Sequence, residues 1–72
     1  EPDERAHGNA ARVRVVRALA ALAPDYRDVV VAHYHEDLGL QEIAQRLALT
    51  ESAVRSRLHR ARAALRTLLD AA

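Results

Sequence analysis

The chain has no cysteine, methionine, tryptophan, phenylalanine or lysine, and its only aromatics are two tyrosines in 72 residues. Without cysteine, neither disulfides nor thiolate-held zinc can support the fold. A chain of this length removes only about 60% of its unfolded surface from water, so its stability rests on one modest core. No apolar run approaches the ~20 residues of a membrane span. No segment has the charged, apolar and small-residue layout of a signal peptide. The reading from these absences is one small domain in the cytoplasm. Glycine occurs twice and no glycine-rich phosphate loop exists. The serines have no base near them in a consistent pattern. Nothing in the sequence points to an enzyme, a cofactor or a small-molecule substrate.

What is present is helix. Four helical segments are expected and no strand, which gives an all-α domain ending in a helix-turn-helix without a winged element. Residues 1–8, EPDERAHG, are polar with Pro2 and Gly8 and read as a linker. Asn9 is a good N-cap for a helix over 10–22. Its apolar stripe is Val13, Val16, Leu19 and Ala20, with Arg12, Arg14 and Arg17 in water. Pro24 suits the first turn of a second helix over 24–36. Asp25 and Asp28 sit favourably near its positive end. Val29-Val30-Val31 has strong β propensity. A strand here has no partner strand, and burial outweighs a few tenths of a kcal/mol per residue of lost helix propensity. The third helix is expected over 40–47, with Gly39 as N-cap and Glu42 at its third position. Ala48 falls in the turn, where a left-handed backbone costs a non-glycine residue on the order of 1 kcal/mol. Thr50 caps a last helix running to about 69.

Within the last two helices, Ile43, Ala44 and Leu47 share one face. Val54, Leu58, Ala61, Leu65 and Leu68 then recur at alternating spacings of four and three, which is one stripe of a second helix. A small Ala44 lets the two axes cross closely. With Val54 set at zero and ~100° per residue, Ser56 falls at roughly 200° and Arg60 at roughly 240°. Arg55 and His59 fall at roughly 100° and 140° on the same scale. A packed back and a front of arginines and hydroxyls suit a major groove. The net charge is only +1, but Arg55, Arg57, Arg60, Arg62 and Arg66 lie together with no acid among residues 55–66. Acids elsewhere do not cancel that charge locally, because screening limits their reach to roughly 10 Å. A charge run is usually just a solvated face. Here it follows a helix-turn-helix break and shares a face with serines, which favours DNA.

His33, His35, Glu36 and Asp37 invite a metal reading. Histidines two apart on a helix diverge by ~200°, so they do not chelate together, and no metal is expected.

The run Glu42-Ile43-Ala44, then Leu47, Thr50 and Val54, and above all Ser56-Arg57-Leu58-His59-Arg60-Ala61-Arg62, resembles domain four of bacterial extracytoplasmic-function sigma factors. Pro24, Arg27, Val29 and Tyr34 also stand in that family's places, and the likeness spans about residues 12–69. Asp37 and Ala48 stand where the family commonly has glycine, and Gly39 where it has serine or threonine. The glutamate-isoleucine-alanine part alone is shared with many helix-turn-helix proteins, including LuxR-type output domains, which usually lack the serine-arginine-leucine-histidine-arginine run.

That resemblance implies promoter recognition at the minus-35 element, docking on RNA polymerase core through the β flap tip and β′, and occlusion by an anti-sigma factor. A degenerate sigma-like interaction module with an idle DNA face is the other reading. The resemblance places Arg60, Ser56 and Arg55 in the groove, with His59 beside them. Thr50, Ser52 and Arg57 are expected at phosphates near the helix start or flank, and Arg62 and Arg66, further from the groove, either at the DNA backbone or in solvent. Val31, Tyr34, Val30 and Leu38, with apolar positions of the first helix, are expected to line one cleft for a protein partner. Seventy-two residues have no room for the promoter-melting domain two. The chain therefore reads as an excised domain, with residues 1–8 the end of an interdomain linker.

Overall fold

The computed structural model describes residues 2–71, with side chains for residues 10–71. Helix α1 spans Pro2–Ala21, α2 Pro24–Val30, α3 Leu40–Leu47 and α4 Glu51–Ala71. A π-helical segment, Val31–His35, prolongs α2. Among the described residues there is no strand, and no helix is long and apolar enough to cross a membrane.

The helix-turn-helix forms as local signals dictate. Gly39 is the N-cap of α3, and its N–H donates to Glu42 Oε1 at 3.3 Å, half of a capping box. Ala48 takes the left-handed conformation, φ 58° and ψ 46°. The next N–H, of Leu49, then donates to Ala44 O at 2.8 Å and closes the helix end. Thr50 Oγ1 accepts from Ala53 N–H at 3.0 Å and starts α4.

Ile43, Val29 and Val54 are fully buried where α2, α3 and α4 meet. Each contributes about 1.5–3 kcal/mol by leaving water. Leu22, Val30, Ala32, Ala44, Leu58 and Ala61 complete the core, with Leu65 and Leu68 half-buried against it. The expected stripe of α4 is therefore present, and Ala44 is buried in the same core.

Arg27 joins α1 to α2. Its Nε donates to Leu19 O at 2.8 Å, and its Nη2 to Ala20 O at 3.0 Å and Leu22 O at 2.9 Å. Leu19 O also accepts from Leu22 N–H at 3.2 Å, whereas the carbonyls of Ala20 and Leu22 depend on the guanidinium, and one planar group joins the two helices.

Three expectations change. The first helix starts at Pro2, not after Asn9. Proline and acids (Pro2, Asp3, Glu4) are what a first helical turn favours, and an interior Gly8 weakens a helix by only ~1 kcal/mol. Glu1 lies outside the described residues.

The buried face of α1 is also rotated. Val13 and Val16 are 45% and 61% exposed, whereas Ala18 and Leu22 are buried. Small Ala18 and Ala21 face Leu68 of α4, flanked by Arg14 and Arg17. Arg14 is not simply solvated: its Nη2 donates to Leu69 O at 3.3 Å, in the last turn of α4.

The second helix does not stay α-helical to 36. Glu36 N–H donates to Val31 O, five residues back, and Leu38 N–H to Ala32 O, six back, each at 3.0 Å. Asp37 absorbs the reversal at φ 59°. This widened stop folds Leu38 onto the core. Among the described residues, the glycine-favouring positions 37 and 48 are thus the two that take positive φ.

Candidate nucleic-acid interface

Helix α4 is held by its apolar back on α2 and α3 and turns a polar front outward. Ser52, Arg55, Ser56, His59 and Arg60 are exposed, and Arg57 is half-buried. Ser56, Arg57 and Arg60 line one notch together with Ala53 and with Asp25 and Tyr26 from the start of α2. The notch follows from helical phase, since residues three, four and seven apart stand on one side of a helix. It places two guanidinium groups and a hydroxyl side by side, which suits a phosphate and an adjacent base edge.

The remaining expected contacts divide. Thr50 sits at the helix start, but its hydroxyl oxygen is engaged as the cap. Arg55 and His59 lie toward the other flank of the front by phase. Arg62 turns further: its Nη1 donates to the Tyr34 hydroxyl at 2.9 Å, on the side facing α1. That hydrogen bond draws Arg62 toward the groove lined by Val15 and Leu19 of α1.

The surface expected to form one cleft is instead two neighbouring grooves. The larger, about 590 Å³, is walled by Val15 and Leu19 of α1, Tyr34, and Leu65 and Leu69 of α4, with Val30 at its floor. Val30 is only 5% exposed, so it belongs to the core more than to the surface. Val31 lines the second groove with Val16, Leu19, Ala20 and Arg27. Leu38 lines neither and packs half-buried against the core. The π-helical turn explains the separation, because its extra residue per turn moves Tyr34 and Val31 off the shared face that an α-helix would give. Tyr34 is 55% exposed and stacks edge-on against His33, ring centroids 4.7 Å apart. The ring Nδ1 of His33 is 3.1 Å from Leu38 O.

Several residues of these surfaces carry no mark in the sequence. Leu65 reads as core by periodicity, and Leu69 and Val15 read as nothing in particular. Asp25 and Tyr26 lie some thirty residues from the arginines beside them. Arg46 of α3 is exposed and pairs with Glu36 at 3.0 Å, and it is the one ion pair among residues 10–71.

A model of the sigma-70 region 4 family matches residues 12–65 of this chain. The RNA polymerase sigma-E factor of Streptomyces coelicolor is 38% identical over 69 residues, covering 96% of this chain and 39% of that protein. That of Streptomyces avermitilis is 37% identical over 68 residues, 94% and 38% respectively. A probable RNA polymerase sigma factor, RfaY, of Xanthomonas campestris is 41% identical over 51 residues, covering 71% of this chain and 13% of that protein. The chain thus spans about two-fifths of the sigma-E relatives it matches.

Proposed function

From the premise that the chain belongs to the sigma-70 region 4 family, the DNA-binding domain of sigma factors, we propose that it reads the minus-35 element of a promoter and holds that promoter to RNA polymerase. The observation that carries this reading is the outward front of α4. Ser56, Arg57 and Arg60 share one notch on the second helix of a helix-turn-helix whose turn is fixed by Ala48 and Thr50.

In this reading α4 lies in the major groove. Arg60 forks onto the O6 and N7 of a guanine, and Ser56 and Arg55 meet neighbouring base edges, with His59 beside them. Arg57, Ser52 and the backbone around Thr50 meet phosphates, where N–H groups of the helix start point outward. These phosphate contacts set register and carry no sequence information. The grooves on the α1 side take the protein partner, RNA polymerase or an anti-sigma factor. Exposed apolar surface there, at Val15, Val16 and Tyr34, supports this assignment.

Selection of bound duplexes from a random pool tests the proposal. One asymmetric motif, with preference at a single base lost in Arg60→Ala, is the expected result. That loss should amount to about 1–3 kcal/mol. A palindromic motif would point instead to paired domains of the LuxR type, and no enriched motif would leave a protein-interaction module.

A further inference from the structure

We propose that Asp25 is a built-in restraint on DNA affinity, resting on the DNA reading of α4 given above. Asp25 is exposed at the start of α2 and lines the same notch as Ser56, Arg57 and Arg60. It is the one acid among the residues lining that notch. Among residues 10–71 the only ion pair is Arg46 with Glu36, so Asp25 sits beside the arginines without neutralising either at contact distance.

A phosphate drawn to Arg57 therefore approaches a carboxylate held across the same small space. Charges that share a notch lie within the screening length of roughly 8–10 Å, so the repulsion is felt in ordinary salt. Asp25 is fixed there by backbone and not by a flexible tether. Pro24 starts the helix, and Arg27 locks α2 to the end of α1. The position also suits α2 itself, since an acid in the first turn faces the positive helix end. That local benefit does not require the acid to face the arginines of α4; the packing of α2 on α4 brings that about.

The restraint acts on the backbone contact and so weakens all duplexes alike. Its consequence is a domain that holds DNA loosely by itself and depends on further contacts to stay on a promoter.

The test is fluorescence anisotropy with a labelled promoter duplex and a scrambled duplex, at low and at physiological salt. Asp25→Asn should tighten binding to both duplexes by the same factor, about twofold to fivefold at low salt, and the gain should shrink as salt rises. Asp25→Glu keeps the charge and should match the wild type. Asp70→Asn removes the same charge at the far end of α4 and should give less than half of the Asp25→Asn gain. Circular dichroism and thermal melting verify that each variant folds. Unchanged or weaker binding by Asp25→Asn overturns the restraint, the latter because Asp25 would then be holding an arginine in place. An equal gain from Asp70→Asn overturns it too, as an effect of net charge alone. Wild-type protein that binds no duplex removes the DNA reading and the restraint together, whereas wild-type binding without a gain in Asp25→Asn removes the restraint alone.

Discussion

The guanidinium of Arg62 donates a 2.9 Å hydrogen bond to the hydroxyl of Tyr34, tying the last helix to the π-helical end of the second. By sequence Arg62 belongs to the DNA-facing arginine run. By structure it braces an aromatic ring at the mouth of the larger groove. Arg62→Ala should therefore leave duplex affinity within about twofold, since surface charges away from a contact do little. The same variant should weaken capture of a groove-binding partner, and Tyr34→Phe should reproduce that weakening by removing only the hydroxyl. Paired measurements on promoter DNA and on RNA polymerase core separate the two roles. A large loss of DNA affinity in Arg62→Ala would return Arg62 to the DNA interface.

Salt dependence measures how many phosphates the arginine front engages. If about four are neutralised, log affinity should fall with log salt at about −0.9 per phosphate. Arg57→Ala should reduce that slope by about one contact and weaken promoter and scrambled duplexes alike. A flat dependence between low and physiological salt would contradict groove binding by α4.

The exposed valines of α1 predict a separable partner surface. Val16 is 61% exposed and lines the second groove with Val31. Val16→Asp should fold normally, because little apolar area is lost from the core. It should abolish or strongly weaken binding to RNA polymerase core or an anti-sigma factor while DNA affinity stays within about twofold. Val31 is half-buried, so Val31→Asp also disturbs packing and is the less discriminating variant. Normal partner binding by a folded Val16→Asp would exclude this surface.

Arg27 is expected to matter for stability and not for recognition. Its three hydrogen bonds satisfy carbonyls at the end of α1. Arg27→Ala should lower unfolding free energy by about 1.5–3 kcal/mol, in the range of charge-assisted bonds to partly buried groups. In so small a domain each kcal/mol moves the melting temperature by about 4–8 °C. Arg27→Lys should recover only part of the loss, since an ammonium lacks the planar fork. Thermal melts of the three proteins check this order.

Ala48 is the clearest place to gain stability. It holds φ 58° without being glycine. Ala48→Gly should stabilise the domain by about 0.5–1 kcal/mol, the relief of left-handed strain exceeding the extra flexibility of the unfolded chain. Gly39→Ser should add a few tenths of a kcal/mol through a side-chain cap. Nothing stands within 4 Å of the new Cβ there, so the substitution fits. Denaturant melts showing no gain from Ala48→Gly would mean that the turn is not strained.

The sequence alone determined the helix-turn-helix. Its caps, its turn at Ala48 and the stripe Val54, Leu58 and Ala61 depend on residues within a few positions of one another, and such signals are read along one helix. It also placed Ser56 and Arg60 on the front of α4, because phase follows from the 3.6-residue repeat. Tertiary structure decided what lies across from what. Val13 and Val16 share apolar spacing with Leu19, yet they stay exposed while Ala18 is buried, and no local pattern chooses which flank a neighbour covers. The π-helical turn split the expected partner cleft and sent Val31 and Tyr34 to different grooves. Asp25 came beside Arg57 and Arg60, and Tyr34 beside Arg62, only because α2 packs on α4. Contacts between residues about thirty positions apart depend on how helices cross, and crossing angles are set by the whole packed surface rather than by any one segment.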